Sequence, residues 1–308
     1  MMEVAFVGAG GVGGHFGGLL ARKGVSVHYV ARGRHLEAIR RDGLRVEAAS
    51  GTFTVRPASV EADARAVPTC GAVFLCVKTY DLDPAIEALR PFAGERACFV
   101  PLLNGVDAVD KLAAAFPGRT VGGQCSVLAE VLEPGVIRQA RGPQQIVVGE
   151  LDHRRTSRLE AIASVFAGSG AEVVLSESIQ ADLWTKLIFI GCLAGVVAAT
   201  RSSVGEVLAC AESRALYLSA LREAVAVARA EGVALRPNIV EATMMRAEGT
   251  EPATKFSLLR DVEARRRTEV DAMVGAIVRR GRARGVATPA HEFLVAALLP
   301  AHLRGLQS

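Results

Sequence analysis

Glu3-Val4-Ala5-Phe6-Val7-Gly8-Ala9-Gly10-Gly11-Val12-Gly13-Gly14 is the stretch that decides the fold. An apolar run enters a glycine-rich turn, and a helical pattern from His15 to Lys23 follows. Gly8, Gly10 and Gly13 make G-x-G-x-x-G in a strand–turn–helix context. In that pattern the first glycine permits the tight turn. The second lets the backbone approach a pyrophosphate, and the third lets the helix pack on the strand. The helix N–H groups and the positive end of its dipole then face the phosphates. Gly8, Ala9, Gly10, Gly11, Val12 and Gly13 are therefore the candidate dinucleotide cradle.

Working outward, Gly24 stops the helix and Val25 to Val30 reads as the second strand. An NAD site usually has Asp or Glu near its end, about 20 residues after the turn, for the ribose 2′-hydroxyl. This chain has Ala31-Arg32-Gly33-Arg34 there. A carboxylate would repel a 2′-phosphate, whereas an arginine pairs with one bidentately. Arg32, helped by Arg34, points to NADP(H); the bland alternative is a pair of solvated loop arginines. Short strands flank a turn at Ser50-Gly51. Buried strands are expected at Ala72 to Val77 and Ala97 to Leu103. Lys78 and Asn104 come directly after these two runs, where doubly wound sheets bind ligands. Each has a plain alternative, a surface lysine and a turn asparagine. Val121 to Leu128, Gly135 to Arg138 and Gln145 to Val148 read as three more strands. Their turns fall at Glu133-Pro134-Gly135 and Arg141-Gly142-Pro143.

From about Ser176 the pattern turns helical and rich in alanine and leucine. The uncharged run Leu187 to Thr200 is too short for a bilayer and reads as a buried helix. Lys186 is the only ionisable residue between Asp182 and Arg201. It either pairs with Asp182 at i,i+4 or does chemistry. Lys255 to Gly281 reads as one helix, on which Val262, Glu269, Met273 and Ile277 share a face. A carboxylate on an apolar stripe needs a partner or a purpose; Arg265 or Arg266 could be that partner. Thr288-Pro289 caps and starts the terminal helix.

Composition narrows the function classes. The chain has 308 residues, half of them hydrophobic, and a net charge of +4. Two domains are expected: 1–175, Rossmann-like and NADP-binding, and 176–308, helical. The mild charge makes no case for nucleic acid. The six cysteines are scattered without metal-ligand spacing, which suggests buried reduced thiols, no metal site and a cytoplasmic protein. No membrane segment is expected, and a homodimer is compatible with everything in the sequence.

Five pieces together resemble the ketopantoate reductase family (2-dehydropantoate 2-reductase). They are VGAGGVGG at the N-terminus, VKTYD around Lys78, LLNGVD around Asn104, LWTKL around Lys186, and SLLRDVEARRRTEVD from Ser257 to Asp271. The resemblance covers essentially the whole chain. It implies an α/β Rossmann-type N-terminal domain followed by an all-α C-terminal domain, with the active site in the cleft between them. It also implies NADPH-dependent reduction of a 2-oxo acid, by default 2-dehydropantoate to (R)-pantoate in pantothenate biosynthesis. By the same resemblance Lys186 is the catalytic general acid, and Glu269 is catalytic and holds substrate and cofactor. Asn104 stands at the cofactor and substrate boundary, Ser257 binds the substrate carboxylate, and Arg32 and Lys78 bind the cofactor.

The chain departs from that pattern where the family's pantoate enzymes carry asparagines that hold the substrate. Ile190, Ala194 and Val204 stand in those places. An apolar wall leaves a buried hydroxyl unpaired, at about 1–3 kcal/mol. A more apolar 2-oxo acid or ketone, or a different hydroxy-acid dehydrogenase reaction, is the alternative. Thr200, Ser202 and Ser203 are candidates for displaced polar contacts.

Overall fold

The computed structural model describes residues 2–90 and 97–306. Its strands in chain order are β1 (Val4–Val7), β2 (Val27–Val30), β3 (Leu44–Ala48), β4 (Gly51–Val55), β5 (Ser59–Glu61), β6 (Ala72–Leu75), β7 (Cys98–Pro101), β8 (Gly122–Glu133), β9 (Val136–Gly149) and β10 (Glu172–Leu175). Two compact units contain them and the helices. The first is Met1–Leu103 with Ala108–Ile179, and the second is Asn104–Asp107 with Gln180–Ser308.

The first unit is built on a five-stranded sheet of order β5-β2-β1-β6-β7, every pairing parallel. Fully parallel strands are covered on both faces, which is why β1 and β6 are unbroken apolar runs with no polar alternation. Phe6, at the centre of β1, stacks on Phe74 of β6 at 4.9 Å, and Phe166 meets Phe74 edge-on. The first helix, Gly11–Arg22, begins earlier than the apolar pattern suggests, inside the glycine turn. It ends at Gly24, whose φ of +89° suits the residue after a helix.

A second sheet of order β10-β9-β3-β4, with β8 paired to β9, completes this unit. Here the structure corrects two expectations. Residues 136–139 and 145–148 belong to one strand, β9, which pairs antiparallel with β8 along its length. Arg141-Gly142-Pro143 is therefore not a turn. It is absorbed in the register shift where Val127 faces Gln144 and Ala129 faces Gln139. Only Glu133-Pro134-Gly135 reverses the chain.

The second unit is helical apart from its loops. The helix Ile179–Thr200 enters it and is 22 residues long, enough in length and composition to cross a membrane. Its most apolar window is 72% buried inside the protein, as in a core helix. The stretch expected as one helix from Lys255 to Gly281 is two. Ser257–Glu263 ends in a Schellman motif: Arg266 N–H donates to the Asp261 carbonyl, Arg265 N–H donates to Val262, and Arg265 takes φ +53°. Residues 266–269 are non-helical, and the chain becomes helical again at Val270. Val262 and Glu269 thus lie on different elements, and no common stripe joins them. Arg266 pairs with Asp261 rather than with Glu269.

The terminal helix Pro289–Arg304 starts where Thr288-Pro289 indicates, but the Thr288 side chain makes no capping bond. The Glu223 carboxylate, from the helix Ala211–Ala230, accepts the N–H groups of Ala290 and His291 and the His291 Nδ1–H instead. Burial works to raise the Glu223 carboxyl, but these donors hold it below the ordinary range. Five cysteines are buried or half-buried free thiols; Cys210 is exposed, against expectation.

His15 is fully buried on the first helix, and its Nε2–H donates to Gln144 Oε1 at 2.9 Å. Burial lowers its pKa from 6.5 to about 4. Between those values the unfolded chain binds a proton that the folded chain refuses. The contribution is therefore complete above pH 6.5 and is lost as pH falls towards 4, at about 3 kcal/mol in all. Urea unfolding at a series of pH values is expected to show His15→Asn with a flatter acid slope than the parent by about that amount. Parallel slopes would contradict this assignment.

Candidate functional site

The glycine turn in the first unit has the shape its spacing implies. Gly8 has φ +103°, and a Cβ there would lie 2.8 Å from the Cys76 carbonyl carbon and oxygen. A Cβ on Gly13 would collide with the Gly8 carbonyl oxygen, so helix and strand touch through bare backbone. A Cβ on Gly10, by contrast, would meet nothing within 4 Å. The space over Gly10 opens beside the start of Gly11–Arg22, which has no side-chain cap and no acid in its first turn. Backbone donors beside open space fit a pyrophosphate.

Around this turn stand residues that sequence reading singled out and one it missed. Arg32 is exposed and directly precedes the helix Gly33–Asp42, with Arg34 exposed in that helix's first turn. Lys78 is half-buried, just beyond β6, and precedes the short turn Thr79–Asp81. His35 is the residue missed. Its Nδ1 accepts the Gly135 N–H at 3.0 Å, so its Nε2 carries the proton and donates to the Ala9 carbonyl at 2.8 Å. Burial lowers its pKa, which favours this neutral form. The imidazole pins the glycine turn to the β8–β9 turn. Only its place in the first turn of the helix after Arg32 could have hinted at it.

In the second unit, Asn104 and Glu269 meet. Asn104 Nδ2 donates to Glu269 Oε2 at 3.4 Å, across 165 residues of sequence. Glu269 is 7% exposed, and its carbonyl accepts the Met273 N–H as the chain becomes helical. Lys186 is half-buried at the end of Ile179–Lys186. Each charged residue is closely followed by a π-helical turn, Leu187–Gly191 after Lys186 and Asp271–Gly275 after Glu269. Such turns recur at functional sites.

The Asp271–Gly275 turn is what brings the segments together. A Cβ on Gly191 would lie 2.9 Å from the Met273 carbonyl oxygen, and one on Gly105 would lie 2.6 Å from that of Ala272. Two glycines from distant segments thus seat on consecutive carbonyls of one turn. Gly105 also has φ +84°, which glycine adopts without strain. Asp107 fastens the same loop through Arg279 Nη2 at 2.7 Å and Arg280 Nε at 2.8 Å. Burial works to raise the Asp107 carboxyl, and the two arginines outweigh it and keep it ionised.

Ser257 is half-buried in the first turn of Ser257–Glu263. Of the three apolar departures, Ala194 and Val204 are fully buried in the helical core and present no surface to a ligand. Ile190 alone keeps partial exposure, one turn beyond Lys186. Thr200, Ser202 and Ser203 each make a local hydrogen bond at a helix end. Thr200 Oγ1 donates to the Val196 carbonyl, Ser202 Oγ to that of Thr200, and Ser203 makes a capping box with Glu206. No cluster of metal-ligating side chains occurs among the described residues.

Residues 4–153 match the family profile "Ketopantoate reductase PanE/ApbA", and residues 178–301 match its C-terminal companion, "Ketopantoate reductase PanE/ApbA C terminal". The chain is similar to an "Uncharacterized oxidoreductase YkpB" of Bacillus subtilis, 31% identical over 96% of this chain and 98% of that one. It is similar to a 2-dehydropantoate 2-reductase of Halobacterium salinarum, 33% identical over 94% and 95%. Among solved structures, a PanE/ApbA family ketopantoate reductase from Ralstonia eutropha JMP134 superposes with a TM-score of 0.92. That protein is 33% identical, covering 99% of this chain and 100% of that one.

Gly191→Ala would push a methyl group onto the Met273 carbonyl. It is expected to cost about 1–3 kcal/mol, whereas Gly10→Ala, in open space, leaves the melting temperature of the free protein within about 2 °C. Thermal unfolding of both variants checks this. Equal losses would contradict the packing described for the two glycines.

Proposed function

Because the chain belongs to the ketopantoate reductase family, we propose that it reduces a 2-oxo acid with NADPH. The default substrate is 2-dehydropantoate, giving (R)-pantoate for pantothenate biosynthesis. The observation that carries this reading is the Asn104–Glu269 contact, made two residues before the turn that also seats the backbone beyond Lys186. It gathers a carboxylate, an amide and the element bearing an ammonium from three distant parts of the sequence.

In this reading the glycine turn holds the pyrophosphate with its uncapped N–H groups. Arg32 pairs with the 2′-phosphate, with Lys78 as a second cation. The reduced nicotinamide supplies the hydride. Lys186 donates a hydrogen bond to the ketone oxygen, stabilises the charge that grows there, and gives up its proton to form the hydroxyl. Glu269 and Asn104 orient substrate and cofactor, and Ser257 binds the substrate carboxylate.

Ile190 supports a second reading. One turn beyond Lys186 it offers a half-buried hydrocarbon surface and no hydrogen-bonding group. A pocket of that kind rejects a hydroxyl-bearing substrate poorly and gains nothing from it. A 2-oxo acid with a plain aliphatic or aromatic side chain would suit it better than 2-dehydropantoate.

The test is NADPH oxidation, followed by its near-ultraviolet absorbance, with 2-dehydropantoate beside a panel of apolar 2-oxo acids. Lys186→Ala is expected to lower kcat by about 10²–10⁴-fold while NADPH still binds. Arg32→Glu is expected to raise the Kd of NADPH about tenfold or more and to leave that of NADH nearly unchanged. Undiminished turnover in Lys186→Ala would remove the general acid from this account, and equal effects on both cofactors would remove the NADP preference. A kcat/KM higher for the apolar acids would select the second reading.

A further inference from the structure

Arg280 lies on the helix Ala276–Arg284, apart from the residues that bind cofactor or substrate in the proposed reaction. Its Nε and Nη2 both donate to Asp107 Oδ1, at 2.8 and 2.7 Å. Its Nη1 donates to Glu231 Oε2 at 2.9 Å. The guanidinium carbon stands 6.0 Å from the ring centroid of Trp184. The Arg280 side chain is 19% exposed, and that of Glu231 is 13% exposed.

Two of these partners, Asp107 and Trp184, are near neighbours in sequence of candidate site residues. Asp107 is three residues after Asn104 and is the first residue of the helix Asp107–Ala115. Trp184 is two residues before Lys186, in the same helix. The helical stretch that carries Arg280 starts directly after Glu269. One guanidinium therefore bonds to the segment that bears Asn104, stands over a ring of the segment that bears Lys186, and is carried by the segment that follows Glu269. Glu231, just beyond the helix Ala211–Ala230, supplies a fourth, fixed anchor.

We propose that Arg280, with Asp107 as its partner, is the positioning residue that sets Asn104, Lys186 and Glu269 relative to one another. Its catalytic consequence rests on the proposed reaction; its structural consequence does not. The chemistry calls for arginine. A planar fork bonds Asp107 with two N–H groups, keeps a third for Glu231, and lies near an indole ring. A lysine presents one point charge and cannot hold all three contacts in fixed directions. Removing the charge altogether would leave the Asp107 and Glu231 carboxylates near one another with Arg279 as the closer cation. Arg279 is itself shared with Asp271.

The experiment uses the full chain in two arms. In the first, hydrogen–deuterium exchange is measured on the free protein and on Arg280→Lys, which keeps the charge and so favours folding. Faster exchange is expected in residues 100–108, 183–191 and 268–276, with residues 211–225 and 289–304 unchanged. Unchanged exchange in those three segments would overturn the proposal, as would a uniform rise throughout the helical unit, which marks a purely structural residue. In the second arm, kcat is expected to fall about ten- to a hundredfold with the KM for NADPH within about threefold. Arg280→Ala should regain part of its kcat when methylguanidine is added. An unaltered kcat, or a loss that methylguanidine does not relieve, would overturn the catalytic consequence. If the parent protein turns over no 2-oxo acid, the reaction reading falls, and the exchange arm still decides whether Arg280 orders the three segments.

Discussion

The helical unit depends on the close approach of two glycine backbones to two consecutive carbonyls of the Asp271–Gly275 turn. A π-turn widens the helix by one residue per turn, so its carbonyls stand away from the regular ladder. Those of Ala272 and Met273 meet Gly105 and Gly191, where any side chain would stand off the backbone. The candidate residues Asn104, Lys186 and Glu269 all lie within five residues of this contact in sequence. Glu269 enters the turn, Lys186 precedes the helix segment that Gly191 closes, and Asn104 precedes Gly105. Backbone contacts of this kind involve no long side chain with rotamers to order, so they hold neighbouring side chains at fixed spacings more firmly than surface ion pairs do.

The first unit uses glycine for the same purpose at a different place. Gly8 and Gly13 bring strand and helix into backbone contact, while the space over Gly10 stays open. The open position and the filled ones cannot be told apart in a string of glycines; only their neighbours separate them. His35 then ties the turn to the β8–β9 hairpin with both ring nitrogens. A protonated His35 would lose its acceptor for Gly135, so the neutral imidazole belongs to the turn as much as the glycines do.

Most of the parallel sheet was legible because its strands are short, continuously apolar and punctuated by glycine. The boundary of the first helix was not, because Gly11 to Gly14 carry no apolar period. β9 was split in the reading because Arg141-Gly142-Pro143 has turn chemistry, yet the pairing of β8 with β9 continues on both sides of it. The break after Glu263 was hidden for the opposite reason. Arg265 adopts a left-handed conformation usually taken by glycine. The segment after it is held by the Arg266–Asp261 pair and by Thr268 against His302, both invisible to local pattern. Lys186, Asn104, Glu269 and Ser257 were legible as a set only through resemblance. The contacts that order them, Gly105 on Ala272, Gly191 on Met273 and Arg280 on Asp107, join residues far apart in the chain. Burial was not legible at the three apolar departures: Ala194 and Val204 belong to the core, and of the three only Ile190 keeps partial exposure.

In the proposed reaction Lys186 delivers the proton to the ketone oxygen of a bound 2-oxo acid. A crystal structure of the protein with NADP⁺ and an unreactive 2-oxo acid analogue such as oxamate tests it most directly. The account predicts Lys186 Nζ within about 3 Å of the analogue's carbonyl oxygen, with Ser257 at its carboxylate and Asn104 and Glu269 beside it. An analogue bound with its carbonyl oxygen facing another donor, and Lys186 turned away, would contradict it.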